Sequence, residues 1–227
     1  MNGVIAWFRD GANWTGSDGV PTLLLQHSLL TLTSVVIAMA IGLPLALWLG
    51  HLRRGGTLAV NVSNVGRAIP IVALLALLSL GVLGTGILGP FGRAGLATLV
   101  TLALFALPPV ITNAYTGVVE VDRDTVEAAR GMGLTELDVL RRVELPLAMP
   151  LIVSGIRLAV VQVWATATVA ALVAGPGLGR IITHGYDSND GAEVIAGSLI
   201  VAVIALLLEG VMVFAQRALD PVARATR

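Results

Sequence analysis

Five stretches of this chain, at about 24–50, 68–88, 94–117, 147–174 and 194–216, are continuously apolar. Each runs for about 20 residues or more, the length that a helix rising about 1.5 Å per residue needs to cross about 30 Å of hydrocarbon. Soluble cores seldom hold such runs. The rest of the composition agrees: 56% of residues are hydrophobic, 12% are charged and mean hydropathy is +0.89, outside the soluble globular range. The expected architecture is an all-α integral membrane protein with five transmembrane helices in one domain over residues 1–227, since no linker separates the spans.

Basic loops are retained in the cytoplasm. One set of loops carries Arg53, Arg54, Arg67, Arg123, Arg130, Arg141, Arg142, Arg217, Arg224 and Arg227; the other carries only Arg9, Arg93 and Arg180. The excess places the N-terminus outside, with the 118–146 loop and the C-terminus in the cytoplasm. Residues 1–21 lack the basic start and short apolar core of a cleaved signal peptide, so the first span is expected to direct its own insertion.

Missing residue types narrow the function. The chain has fourteen Arg, no Lys and no Cys. A P-loop needs Lys on the β- and γ-phosphates, so any ATP hydrolysis belongs to another polypeptide, and lysine Schiff bases, thiolate metal sites and cysteine nucleophiles are excluded too. A net charge of zero gives no basic face for nucleic acid. His27, His51 and His184 are far apart in the sequence and imply no metal site. They read as ordinary interface residues.

The 118–146 loop is charged but patterned. Asp124 with Glu127, and Thr135 with Asp138, have the spacing of capping boxes that start two short helices. Gly131 and Gly133 lie between them, where the chain must turn. The second helix is expected to align Leu137, Leu140 and Val143 on one stripe. Such a hairpin suits docking into a groove on a partner protein and equally suits lying on the membrane surface; spacing alone does not choose.

Glu127-Ala128-Ala129, three residues, Gly133, nine residues, Val143, one residue and Leu145-Pro146 resembles the EAA motif of ATP-binding cassette importer permeases. Val143 stands where the family form has Ile. The resemblance implies the type I importer permease fold, in which this loop is a coupling helix seated in a cleft of the ATPase subunit through Glu127, Ala128, Ala129, Gly131, Gly133, Val143, Leu145 and Pro146. It implies further partners: ATPase subunits that bind the ATP and magnesium, a second permease, identical or related, and an extracytoplasmic substrate-binding protein. No catalytic residue or cofactor of the chain's own is implied. Ala68-Ile69-Pro70, Leu107 through Gly117, Gly155-Ile156-Arg157 and Gly175-Pro176-Gly177-Leu178-Gly179 extend the resemblance to osmoprotectant permeases, whose solutes are glycine betaine, carnitine, choline or proline. Permeases for other small solutes, such as amino acids, share several of these segments.

Polar residues inside the spans complete the reading. Arg157 and Glu209 fall in the inner half of the bilayer, where they can pair, snorkel or gate. Asn113, Gln162, Trp164, Thr166 and Thr168 are placed to line a path, although Trp164 equally suits packing between helices. Pro44, Pro70, Pro108 and Pro109 punctuate the early spans. Ala167, Ala170, Ala171 and Ala174 open a face for close approach of another helix. An ion-driven carrier would require an acidic or histidine relay and an internal repeat, and an intramembrane enzyme would require clustered catalytic groups. Neither pattern is present in the sequence.

Overall fold

The computed structural model describes residues 2–57, 61, 66, 68–84 and 94–219. Among them the regular structure is entirely helical. The principal helices are α1 (Asn2–Arg9), α2 (Val20–His51), α3 (Ile71–Leu80), α4 (Gly95–Val119), α5 (Arg123–Gly131), α6 (Glu136–Val139), α7 (Leu145–Ala167), α8 (Gly179–Asp187) and α9 (Gly191–Leu219). A π-turn, Leu140–Glu144, joins α6 to α7, and a 3-10 segment, Thr168–Val173, extends α7.

Among the described residues four helices are long and apolar enough to cross a membrane: α2, α4, the continuous Glu136–Val173 rod and Gly191–Arg217 within α9. A fifth span is expected at 68–88, and the described part of it is the shorter apolar helix α3. Pro70 caps the start of α3, and Gly81, in extended backbone, ends it after ten residues, or about 15 Å of helix. Residues 85–88, and with them Arg67, Arg93, Arg224 and Arg227 of the orientation count, lie outside the described residues.

Helices α2, α4 and α7 form the core, which bears little polar weight because lipid already satisfies apolar side chains and close packing must hold the helices together. Leu30, Val35 and Ala38 meet Leu99, Leu102, Ala106 and Val110, with Ala159, Val160, Val163 and Ala167 closing the third side. A second cluster nearer the 118–146 loop joins Ala46, Ile111, Ala114, Val118, Ala148 and Ile152. Gly155 makes the α4–α7 approach possible: a Cβ there would sit 2.6 Å from Asn113 Cβ and 2.7 Å from the Pro109 carbonyl oxygen. Helix α4 continues through Pro108 and Pro109. Asn113 Nδ2 donates to the Pro109 carbonyl at 2.8 Å.

The small-residue face at the end of α7 is closely approached: Ala167 packs against α2 and α4, and the start of α8 and the loop before it lie against Thr168–Val173. After Ala167 the chain tightens to 3-10 geometry, and the Gly175 N–H donates to the Ala170 carbonyl at 2.8 Å. Gly175 and Gly179 lie so close to Ala170, Ala171 and Thr168 that a Cβ on either would clash with them. Helix α9 is peripheral: Ile200, Val201, Ile204 and Leu208 lie partly buried against the Trp164 cluster, while Leu199, Val203, Leu206, Val211 and Phe214 are exposed, an apolar face for lipid or another subunit.

Candidate functional site

The 118–146 loop folds as a helical hairpin with its own small core. Asp122, rather than the expected Asp124, caps α5: its carboxylate accepts from the Asp124 N–H at 3.3 Å and from Thr125 Oγ1 at 3.2 Å. Asp122 keeps the non-helical backbone of a cap, and Asp124 already lies inside the first turn. Thr135 caps α6, accepting from the Asp138 N–H at 3.3 Å and donating to Asp138 Oδ2 at 2.6 Å. Between the helices, the Gly133 N–H donates to the Arg130 carbonyl and the Leu134 N–H to the Ala129 carbonyl, which closes the C-terminal turn of α5. Gly133 has φ +88°, a left-handed conformation that favours glycine.

Val121, Val126, Ala129 and Val139 are buried together, with Leu134 and Val143 packed against them. The expected stripe of Leu137, Leu140 and Val143 is corrected to Val139 and Val143, because Leu137 is 53% exposed. Helix α6 lasts only one turn before the π-turn adds a residue and shifts the phase of every later side chain.

Of the motif residues, Ala129 is buried, while Glu127, Ala128, Gly131 and Gly133 are exposed on the hairpin surface. Met132, between the two glycines, is 76% exposed. Sequence reasoning passed over it, although an apolar residue flanked by glycines at a turn is the visible signal of a contact knob. Val143 and Leu145 pack inward, Leu145 against the α2–α4–α7 core, and Pro146 is exposed in the first turn of α7. Arg130 bridges the hairpin through Nε to Glu136 Oε1 at 3.1 Å and Nη2 to Glu136 Oε2 at 2.9 Å.

The hairpin is anchored to the C-terminal end of α2. Arg53 donates to the carbonyls of Val119 at 3.2 Å and Val121 at 2.8 Å, satisfying acceptors at the end of α4. His51 Nδ1 is hydrogen-bonded to Glu144 Oε2, and its Nε2 lies 3.2 Å from Glu136 Oε2.

Residues read as lining a path fall in different settings. Asn113, Gln162 and Thr166 are partly buried on α4 and α7. Thr166 and Thr168 spend their hydroxyls on the carbonyls of Gln162 and Ala165 at 2.7 Å, as hydroxyls in membrane helices commonly do. Of the two readings of Trp164, path lining and packing between helices, its surroundings match packing. It is 2% exposed and packed with Val20, Leu23, Leu178 and Ile181, its Nε1–H donates to the Val201 carbonyl at 3.2 Å, and its ring lies 4.3 Å from that of His27. Both faces and the polar handle are committed to packing. Arg157 Nη2 lies 2.8 Å from Glu209 Oε1 and its Nη1 donates to Gln216 Oε1 at 2.9 Å, which links α7 to α9.

The three histidines occupy separate places. His27 is fully buried between Trp164 and Leu178, His51 meets the hairpin, and His184 contacts Glu193 at 2.9 Å on the opposite end of the bundle. That same end carries the Arg180–Asp18 pair at 2.8 Å, which ties α8 to the segment before α2.

Comparison with known proteins converges on this geometry. The chain is 34% identical over 198 residues to the glycine betaine/carnitine/choline transport system permease protein OpuCD of Bacillus subtilis (strain 168), covering 87% of this chain and 82% of that one. It is 34% identical to the choline transport system permease protein OpuBD of the same organism, with 87% and 84% covered. It is 33% identical to the osmoprotectant import permease protein OsmY of Salmonella typhimurium (strain LT2), with 86% and 80% covered. The fold matches a solved chain of the MetNI methionine ABC transporter with a TM-score of 0.72 at 22% identity, covering 86% of this chain and 93% of that one. A family model described as binding-protein-dependent transport system inner membrane component matches residues 29–225, so this multi-pass membrane chain belongs to that family of transport permeases.

Proposed function

We propose that the chain is the permease subunit of an ATP-binding cassette importer that carries osmoprotectants, quaternary ammonium compounds such as glycine betaine, carnitine or choline, into a bacterial cell across its cytoplasmic membrane. The observation that carries the transport mechanism is the hairpin itself. It buries Val126, Ala129 and Val139 while presenting Glu127, Ala128, Met132 and Gly133 outward. A loop that only joined two spans would need neither a private core nor two caps. The relatives named for glycine betaine, carnitine and choline transport support the substrate class.

In this reading the N-terminus faces outward and the hairpin faces the cytoplasm. The exposed tip seats in an ATPase subunit, which binds ATP and magnesium, and a second permease copy or relative lines the other half of the path. A loaded substrate-binding protein meets the 175–179 side. When the ATPase subunits close on ATP, the hairpins move, and α7, continuous with the hairpin through the π-turn, carries that movement into the membrane. A quaternary ammonium cation has no N–H to donate and is held best against aromatic faces. The only deep late-span aromatic, Trp164, is committed to packing, so selection falls to the receptor and the permease gives weak passage through a path that includes Asn113, Gln162 and Thr166.

The test compares wild type with Gly133→Asp in the assembled transporter in lipid, with receptor and glycine betaine present. A Cβ at Gly133 meets nothing within 4 Å, so the hairpin accommodates the change at a backbone cost of about 1–2 kcal/mol, while the docking tip gains bulk and charge. Loss of betaine-stimulated ATP hydrolysis is expected. Stimulation that survives refutes the coupling role, and a wild type that ignores betaine but responds to an amino acid reassigns the solute.

A further inference from the structure

We infer that His51 and Glu144 are a positioning pair that makes α2, as well as α7, part of the moving coupling unit. The inference rests on the coupling reading of the hairpin and extends it to a span that the motif does not contain. Glu144 lies between Val143 and Leu145 and is 1% exposed. A carboxylate so buried is costly unless paired and hydrogen-bonded. Its partner among the described residues is His51, in the last turn of α2 and 93 residues away in sequence.

The imidazole does more than answer one carboxylate. Nδ1 faces Glu144 on the π-turn and Nε2 faces Glu136, 62% exposed, at the start of α6. Each ring nitrogen thus has its own carboxylate, Glu144 at Nδ1 and Glu136 at Nε2. Glu136 in turn holds both donors of Arg130 on α5. One histidine thus joins the end of α2 to all three parts of the hairpin: the π-turn directly, α6 directly and α5 through Arg130. Two residues on, Arg53 grips the carbonyls of Val119 and Val121, where the hairpin begins.

With these contacts intact, the hairpin cannot be displaced without α2, whose Ala46 and Gly50 pack against α4. The covalent link to α7 alone would move one wall of the path. The His51–Glu144 link moves a second wall with it.

The experiment measures glycine betaine uptake per ATP hydrolysed in vesicles holding the complete transporter and receptor. His51→Gln is expected to leave the ATPase subunit associated while lowering that ratio about ten-fold, the scale of a lost charged hydrogen bond. His51→Lys, whose head carries several donors, is expected to restore it to within about two-fold. Full coupling in His51→Gln, or no recovery in His51→Lys relative to it, overturns the inference. If His51→Gln fails to assemble, His51→Gln/Glu144→Gln removes the stranded charge; assembled but poorly coupled double variant supports the positioning role, and a fully coupled one overturns it. Gly133→Asp runs alongside as the control: if it couples normally, the hairpin reading itself has failed, whereas a fault confined to His51 leaves that reading intact.

Discussion

Replacing His27 with Leu removes the hydrogen bond that holds the 175–179 loop to α2 and a second one from α2 to α7, while keeping a buried side chain of similar size. The ring is fully buried. Its Nε2 lies 3.0 Å from the Trp164 carbonyl, and its Nδ1 accepts from the Leu178 N–H at 3.3 Å. The pattern requires the proton on Nε2 and a bare Nδ1. Leucine leaves one backbone carbonyl and one backbone N–H without these partners, at about 1–3 kcal/mol each. The longer bond to Leu178 sits at the weak end of that range, about 1 kcal/mol, and of the two it alone breaks when the loop opens. At about 1.4 kcal/mol per factor of ten, the Leu178 amide is expected to exchange with deuterium about 5-fold faster when the local opening controls exchange. His27→Gln, whose amide offers one donor and one acceptor, is expected to fall between the two. Exchange at Leu178 within about two-fold of wild type in His27→Leu refutes the idea that His27 fastens this loop.

Three more outcomes follow from geometry. Gly155→Val drives a Cβ into Asn113 Cβ and the Pro109 carbonyl, at 2.6 and 2.7 Å, and is expected to destabilise the α4–α7 contact by about 1–3 kcal/mol, read as earlier thermal unfolding in detergent. Arg157→Met strands Glu209 and is expected to lower the yield of folded protein, with Arg157→Met/Glu209→Leu recovering it; a single variant with normal yield removes the pair from the list of structural contacts. The Glu193 carboxylate holds the imidazole of His184 above its ordinary pKa of 6.5, chiefly through their hydrogen bond. A pKa raised by folding adds stability that is complete below the unfolded value and fades as pH rises through the folded one, so α8 is expected to loosen on alkalinisation. Glu193→Gln should flatten that pH dependence of proteolysis near Arg180, and an unchanged profile would place the effect elsewhere.

The four long helices were legible because lipid imposes a length rule that any apolar run must meet. At 68–88 residue counting sees one apolar stretch, and within it Pro70 and Gly81 bound the described helix α3 through local backbone chemistry that average hydropathy does not register. In the hairpin, the Thr135 cap was legible because its partner Asp138 is three residues away. The α5 cap was displaced to Asp122, since alternating acids at 122 and 124 offer two starting points with nearly equal local chemistry. The buried stripe of the second helix was misread by its phase: Val139 and Val143, four apart, face the hairpin core while Leu137 is exposed, because the Thr135 cap and the Val121–Val126–Ala129 core, not the leucines, set which side turns inward.

The polar anchors were illegible for a different physical cause. His27 reaches residues 137 and 151 positions away, and His51 reaches Glu144 across 93; no periodicity links such pairs. What the sequence carries is half of each interaction. Glu144 sits between Val143 and Leu145 in the apolar tail of the motif, and His27 sits in an apolar helix. A polar group in such company must find a partner or leave the interior, so each residue announces a demand. Which residue meets that demand depends on how α2 lies against α7 and the hairpin, and that arrangement is decided by glycine and alanine contacts such as Gly50 against Val118 and Gly155 against Asn113. Small residues set the helix positions first, and the histidines then connect whatever those positions bring within reach.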